Sequence, residues 1–566
     1  LERTKKGYIM LRRHSPVWLH HFIVFVIICV SSLLSTLPAF TNNTFKLSYD
    51  GNIHLARYDA ITQALSHGSL PPLVNFIGLH HTGLAMNGMY PWITSTIFII
   101  PKLLFNNPIV ALMVGFIILN FLTIFNVFLL AKFITHKRWI QILGVTIYQF
   151  SSYHMTVLYS RNALGEALAY AFLPLVLLGC LKIWHNLTNG WLYLGFGMGA
   201  IANSHILSLI IVTIMIAIFC FIRILRHQLT RKEVINYTKA AVLAILSSFY
   251  TLTNIGSLLS SNLLMSPTPK LVPLNATKYW QALLDNSIIE RSVSFNMGPI
   301  NTFLLFFLMI MLFTNKSGLW RHWTIATIIV FFSTFDWLPW QNLTSTPINM
   351  IQFLGRLLFI SSLLLAISVM YYFDQYPLKY KDINFVITLA LVAVSLNAVH
   401  TYHNKTTKDG YRFWLTRDNY VQTIKNSAIG IDYLPANNKH QLQSRITALQ
   451  NASVSSLKIK SQTYNSAEYM ITTAKEGYYS LPIAVYSGIH YNVTLNHKKV
   501  KLANSHALKL KIPKGLNHLK ITVTVNISNY FTMLISLLTI VYSIGKLTFA
   551  NSNSFARKNK KRQKDK

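Results

Sequence analysis

The chain has 566 residues, of which 52% are hydrophobic and only 12% charged, against roughly a quarter charged in ordinary globular domains. Its Lys and Arg number 51 and its Asp and Glu 16, giving a net charge of +35. That excess would point to nucleic acid in a soluble chain. Set between long apolar runs, it reads instead as basic cytoplasmic loops and contact with anionic membrane lipids, with no nucleic acid as partner.

In chain order, a basic stretch (Arg3, Lys5, Lys6, Arg12, Arg13) precedes an apolar run at 17–40. That run is longer than a signal-peptide core and reads as a retained first span leading outward. An external loop, 41–107, follows. It opens with YDGNIHLARYDA at 49–60, where offsets of four and three put Asp50, His54 and Arg57 on one helical face. The piece 91–105 is short and bracketed by Pro91 and Pro101, so it reads as interfacial or re-entrant. Further spans are predicted at 108–133, 140–159, 165–184, 186–203, 206–223, 238–262, 299–315, 322–340, 351–373, 383–400 and 530–548. Basic clusters at Lys132/Lys137/Arg138, Arg223/Arg226/Arg231/Lys232, Lys316/Arg321 and Lys379/Lys381 are assigned to the cytoplasm. The expected fold class is therefore a polytopic α-helical membrane protein of about 12 spans, with both termini cytoplasmic and a basic tail at 549–566.

Residues 401–529 differ in kind. In HLKITVTV, Leu519, Ile521, Val523 and Val525 alternate with Lys520, Thr522 and Thr524. ALKLKI at 507–512 and YNVTL at 491–495 do the same. Period-two patterning with Gly and Asn turns predicts a small extracytoplasmic β-sandwich between the last two spans. The helical domain then covers 1–400. Cys29, Cys180 and Cys220 all fall in apolar runs and show no metal-ligand spacing.

With so few acids, their position carries information. Asp50, Asp59, Glu166, Asp285, Glu290 and Asp336 fall near outer span ends, where ionisable groups are either paired or functional. For Asp50 and Arg57 the residues leave both readings open, an interfacial ion pair or a working face. Arg161 and Glu166 sit at the mouth of one span, as an anchor with a helix-start carboxylate or as part of a site. His205 occupies a Ser-His break. Gln352 and Arg356 open another span, where a lone Arg is also a common snorkelling anchor. No phosphate-binding loop, dinucleotide fingerprint, zinc helix or Gly-x-Ser-x-Gly elbow is present.

These residues resemble a known group. Asp, then His four on and Arg seven on, matches Asp50, His54 and Arg57 in the bacterial multi-pass membrane proteins known as 6-pyruvoyl-tetrahydropterin synthase-related. Those proteins are similar to the membrane proteins that glycosylate lipoteichoic acid, of GT-C glycosyltransferase type. The pattern continues in HGSLPP at 67–72, in Tyr90-Pro91, in Arg161, Ala163, Glu166 and Pro174, and in Ser204-His205. The family's Gln-Phe-Pro-Trp-Arg stands here as Gln352, Phe353, Leu354, Gly355 and Arg356, with the Pro-Trp replaced. DYLPA at 432–436 and LPIAVYSGIHYNV at 481–493 are similar to parts of the family's C-terminal β domain.

The resemblance implies an enzyme that moves a sugar from a polyprenyl-phosphate carrier to a cell-envelope acceptor, a wall polymer or glycan, at the outer face of the cell membrane. It implies that Asp50 is a base or holds a divalent metal, with Glu166 a second acid or an orienting partner. Arg57, Arg161 or Arg356 would bind the carrier phosphate. His54 and His205 would donate to phosphate or sugar, with Gln352 beside them. Two other classes stand against this: a non-catalytic envelope scaffold, and a lipid-linked sugar transporter. A transporter would carry ionisable residues near mid-span, whereas these gather at outer ends.

Overall fold

The computed structural model describes residues 17–265, 270–377, 381–405, 412–427, 432–435, 456–502 and 507–564. The chain is mostly helical. Among the described residues, seven helices are long and apolar enough to cross a membrane: Phe22–Ala39, Pro108–Ile134, Leu164–Trp184, Ile206–Leu225, Leu354–Gln375, Asp382–Asn404 and Ile527–Thr548. The pair Arg231–Ser247 and Phe249–Ser261 is an eighth candidate, bent by 72°. These helices fit a multi-pass membrane protein.

Leu164–Trp184 is enclosed along its whole length, and Leu354–Gln375 nearly so. Ile206–Leu225 and Ile527–Thr548 leave outward rows of large apolar side chains such as Ile214, Ile218, Phe221, Leu538 and Val541. Helices apolar on all sides belong at the centre of a bundle or against lipid, and both placements occur here.

Four predicted spans hold shorter helices: 140–159 contains Arg138–Gln149, 186–203 contains Gly190–Ala202, 299–315 contains Pro299–Thr314, and 322–340 contains Trp320–Phe332. Their 12 to 16 residues cover about 18 to 24 Å, short of the roughly 30 Å hydrocarbon layer. Local polar chemistry ends them. After Gln149, the ring Nδ1 of His154 meets the Gln149 carbonyl at 2.9 Å, and the Gln149 amide donates to Asn120 Oδ1 at 2.7 Å. A π-helical turn, Thr156–Ser160, follows. Asn186, at φ 55°, closes the preceding helix in the left-handed manner Asn tolerates. The bend at Ser248 is held by Asn203, which donates to Ser247 O at 2.9 Å and accepts from Thr251 Oγ1 at 2.7 Å. Side chains thus satisfy the backbone groups that a break frees, as a low-dielectric setting requires.

The C-terminal region is β-rich. Ser456–Gln462, Ser466–Thr473, Gly515–Val523, Tyr491–Leu495 and Lys498–Lys499 form one five-stranded sheet in that order, with antiparallel pairing throughout. Gly477–Ala484 pairs separately with Ala507–Ile512. Leu519, Ile521 and Val523 are buried while Lys520 is exposed, so the period-two pattern is realised; Val525 lies beyond the strand end. The region docks on the loop 41–107. Ala484 N donates to Thr82 O at 2.7 Å, and Tyr469 OH donates to His81 O at 2.9 Å. The segment 91–105 forms only a nine-residue helix, Thr96–Leu104.

Candidate functional site

A cavity of about 570 Å³ lies where the loop 41–107, the starts of three long helices and the C-terminal region meet. Asp50, His54, Arg161, Glu166, His205, Gln352 and Arg356 all line it, together with Tyr90, Asn349, Asp432 and Tyr433. Seven of the eight residues singled out from sequence therefore share one wall system. Apolar side chains, including Leu207, Ile210, Leu259 and Met350, line the rest.

Local sequence explains the convergence. Ser48 caps the helix Tyr49–Ser66 by accepting from Gly51 N at 3.3 Å, and its Oγ donates to Arg161 O at 2.5 Å. Asn162 Oδ1 accepts from Ser48 N at 2.6 Å. A Cβ at Gly51 would lie 2.8 Å from Asn162 Oδ1 and 2.7 Å from Leu47, so glycine is what lets the two segments touch. Asn162 itself, at φ 50°, makes the break before the helix Leu164–Trp184. This contact sets Asp50 beside Arg161.

Arg161 gathers three carboxylates. Its Nη1 lies 2.7 Å from Glu166, and its Nε lies 3.3 Å from Glu290 and 3.6 Å from Asp50. That Nε–H is buried and makes no hydrogen bond. Burial opposes the guanidinium charge, but Glu166, Asp50 and Glu290 together hold the Arg161 pKa above its usual range. Glu166 is buried in the first turn of its helix. It also accepts from Tyr153 OH and lies 3.3 Å from Arg356 Nε. Arg356 Nη1 donates to Ile351 O at 2.9 Å and to Gln352 Oε1 at 3.1 Å.

Asp50 is different, with 40% of its side chain exposed and Arg161 its one ion-pair partner among the described residues. Burial pushes the Glu290 carboxyl up against the pull of Arg161, and burial with the nearby Asp50 charge pushes Asp432 up. Two cavity residues carry backbone strain, Gln352 at φ 60° and Tyr433 at φ 72°, conformations that non-glycine residues hold only where neighbours enforce them. Tyr433 is enforced by backbone bonding with Met265 and by Tyr486 OH, which donates to its carbonyl at 2.9 Å.

Burial, then Arg57, holds the His54 pKa well below its usual value, and burial pushes His205 down to about 3. His205 Nδ1 accepts from Ser208 N at 3.3 Å and lies 2.8 Å from Ser208 Oγ.

Arg57 departs from expectation. It is fully buried and does not line the cavity. Its Nη2 donates to Tyr90 O and Pro91 O, both at 3.0 Å, its Nη1 lies 3.0 Å from His54 Nδ1, and it stacks on Tyr90 at 4.5 Å. The shared helical face exists, but seven residues are about 10 Å along a helix. Arg57 therefore ends two turns from Asp50, behind the wall, and does not pair with Asp50.

A metal does not suit this donor set. Among the described residues no three His, Cys, Asp or Glu side chains come together as ligands, and the open carboxylate Asp50 faces a guanidinium.

Several residues in or around the cavity escaped sequence reasoning. Tyr153 sits in a helix break with no spacing signal, and Asp432 and Tyr433 lie far along the chain from Asp50. Arg412, 3.5 Å from Glu290, had no motif. Asp59 belongs elsewhere, paired with Lys102 beside Tyr420. Comparison with protein families, curated proteins and solved structures gave no match, so the geometry carries the functional reading.

Proposed function

We propose that this chain is a membrane glycosyltransferase of GT-C type, moving a sugar from a polyprenyl-phosphate carrier to a cell-envelope acceptor at the outer face of the cell membrane. The observation that carries the reading is Asp50: a partly exposed carboxylate at the edge of a cavity that also presents guanidinium, imidazole and apolar side chains. In the proposed reaction the acceptor hydroxyl oxygen attacks the anomeric carbon of the sugar and its proton passes to Asp50. The bond from that carbon to the phosphate oxygen breaks, and the electron pair leaves on the carrier phosphate. Arg356 and the unbonded Arg161 Nε–H are suited to that developing charge. The apolar wall formed by Leu207, Ile210 and Leu259 suits a lipid tail.

With this function goes a topology of about twelve crossings, the short helices counted, both termini cytoplasmic, and the β-rich region a small sandwich outside the membrane where it meets the acceptor. The deciding experiment compares a deletion strain carrying wild-type protein with one carrying Asp50→Asn. Sugar on wall polymers and accumulated lipid-phosphate sugar are measured alongside protein abundance. Normal sugar transfer by Asp50→Asn at normal abundance refutes the proposal.

A further inference from the structure

Among the described residues, Arg57 is a buried cation without a carboxylate among its contacts, an arrangement that costs free energy and calls for a use. A guanidinium has only donors. Its Nη1, 3.0 Å from His54 Nδ1, therefore requires a lone pair on that nitrogen, and the ring proton must reside on Nε2. His205 reaches the same state by another route, because the backbone N–H of Ser208 can only donate to its Nδ1. Both rings line the cavity, and both pack near the Tyr90 ring, at 5.1 and 6.0 Å between centroids. Each is left with one polar atom to offer, an Nε2–H.

We propose that Arg57 is a positioning residue: it fixes His54 as the neutral Nε2–H tautomer, so that His54 and His205 serve the cavity as a pair of uncharged donors to phosphoryl oxygen and neither acts as a base. The phosphoryl assignment rests on the glycosyltransferase reading; the tautomer assignment does not. Four groups that can only donate, His54, His205, Arg161 and Arg356, then share the cavity wall, with base chemistry left to Asp50. The groups facing His54 are Arg57, Tyr58, Tyr90, Arg161 and His205, with Asp50 one turn back. Its neighbours of fixed charge are thus mainly cationic, which favours the neutral ring.

The test is nitrogen NMR of the full chain, labelled with 15N-histidine and held in lipid nanodiscs, the His54 signals being assigned by their loss in His54→Gln. We expect a lone-pair Nδ1 and a protonated Nε2, unchanged between about pH 8 and about pH 5.5. In Arg57→Met the ring should mix tautomers and begin to titrate towards its ordinary value. An Nδ1–H or imidazolium form in the wild type overturns the proposal, as does an unchanged His54 in a folded Arg57→Met. If Arg57→Met does not fold, the wild-type spectrum alone decides the tautomer. A short-chain polyprenyl phosphate should shift both Nε2 signals, and inorganic phosphate should do so only at higher concentration. His54→Ala should weaken polyprenyl-phosphate binding roughly tenfold or more, whereas His54→Gln, which keeps a donor near Nε2, should stay within about threefold. Correct tautomers without any phosphate-induced shift remove the donor role. Sugar transfer, measured separately, judges the glycosyltransferase reading.

Discussion

Glu166→Gln gives the sharpest test of how the cavity is held together. The wild-type carboxylate is buried, 2.7 Å from Arg161 Nη1 and 3.3 Å from Arg356 Nε, and it accepts from Tyr153. The amide keeps the shape but removes the charge that separates two guanidinium groups. Arg161 retains Glu290 at 3.3 Å and Asp50 at 3.6 Å. Arg356 retains only the neutral acceptors Ile351 O and Gln352 Oε1, and so becomes an uncompensated buried charge. Breaking one side of a buried pair costs about 3 to 5 kcal/mol; because Arg161 stays compensated, the lower end, about 3 kcal/mol, is expected. The assay is thermal unfolding in detergent, followed by tryptophan fluorescence, with monodispersity checked on the same sample. The double variant Glu166→Gln/Arg356→Gln removes the stranded charge and should recover most of the loss. A Glu166→Gln protein that melts like wild type, or a double variant worse than the single, would refute the counter-ion role and return Glu166 to consideration as a reacting acid.

Asp50→Asn should lose roughly a hundredfold or more in sugar transfer, the scale of a lost general base. It should lose at most about 1 kcal/mol of stability, because its one ionic contact is long and partly solvated; the same samples report both. Gly51→Ala should lower the melting temperature by an amount equivalent to about 1 to 3 kcal/mol, since its methyl would press into Asn162 and Leu47. It should also lower transfer by moving Asp50 from Arg161. Stability should fall as pH drops below about 6.5. His54 and His205 have folded-state pKa values below their unfolded ones, so the unfolded chain binds more protons in that window. Melting curves between about pH 8 and about pH 5 check this, and His205→Gln should flatten the dependence.

The helices were legible where apolar length alone decides. Runs such as 108–133 and 206–223 became Pro108–Ile134 and Ile206–Leu225; Asn120 and Asn126 within the first bond across to other segments and leave the helix unbroken. Sequence reading overextended where a few polar side chains take over backbone hydrogen bonds. Gln149, His154 and Asn203 each stop or bend a helix through partners on other helices, and a hydropathy window averages those residues away. The β-strand pattern survived because burial on one face acts residue by residue: Leu519, Ile521 and Val523 had to turn inward together once Lys520 turned out.

The site was legible as an inventory but not as a set of roles. Scarcity of acids made Asp50, Glu166 and Glu290 stand out, yet spacing treats Asp50, His54 and Arg57 as one face and cannot tell its depth. Burial does: Arg57 is behind the wall, His54 in it and Asp50 at its edge. The same offsets that suggested three ligand-facing groups thus place the three residues at graded depths. Glu166 shows the complementary limit. Its position at a helix start fits both a cap and an acid, and only the arrival of Arg356, 190 residues later in the chain, makes it a counter-ion. A carboxylate with two guanidinium partners and a tyrosine donor has three of its about four lone-pair sites taken, whereas Asp50 has one long contact.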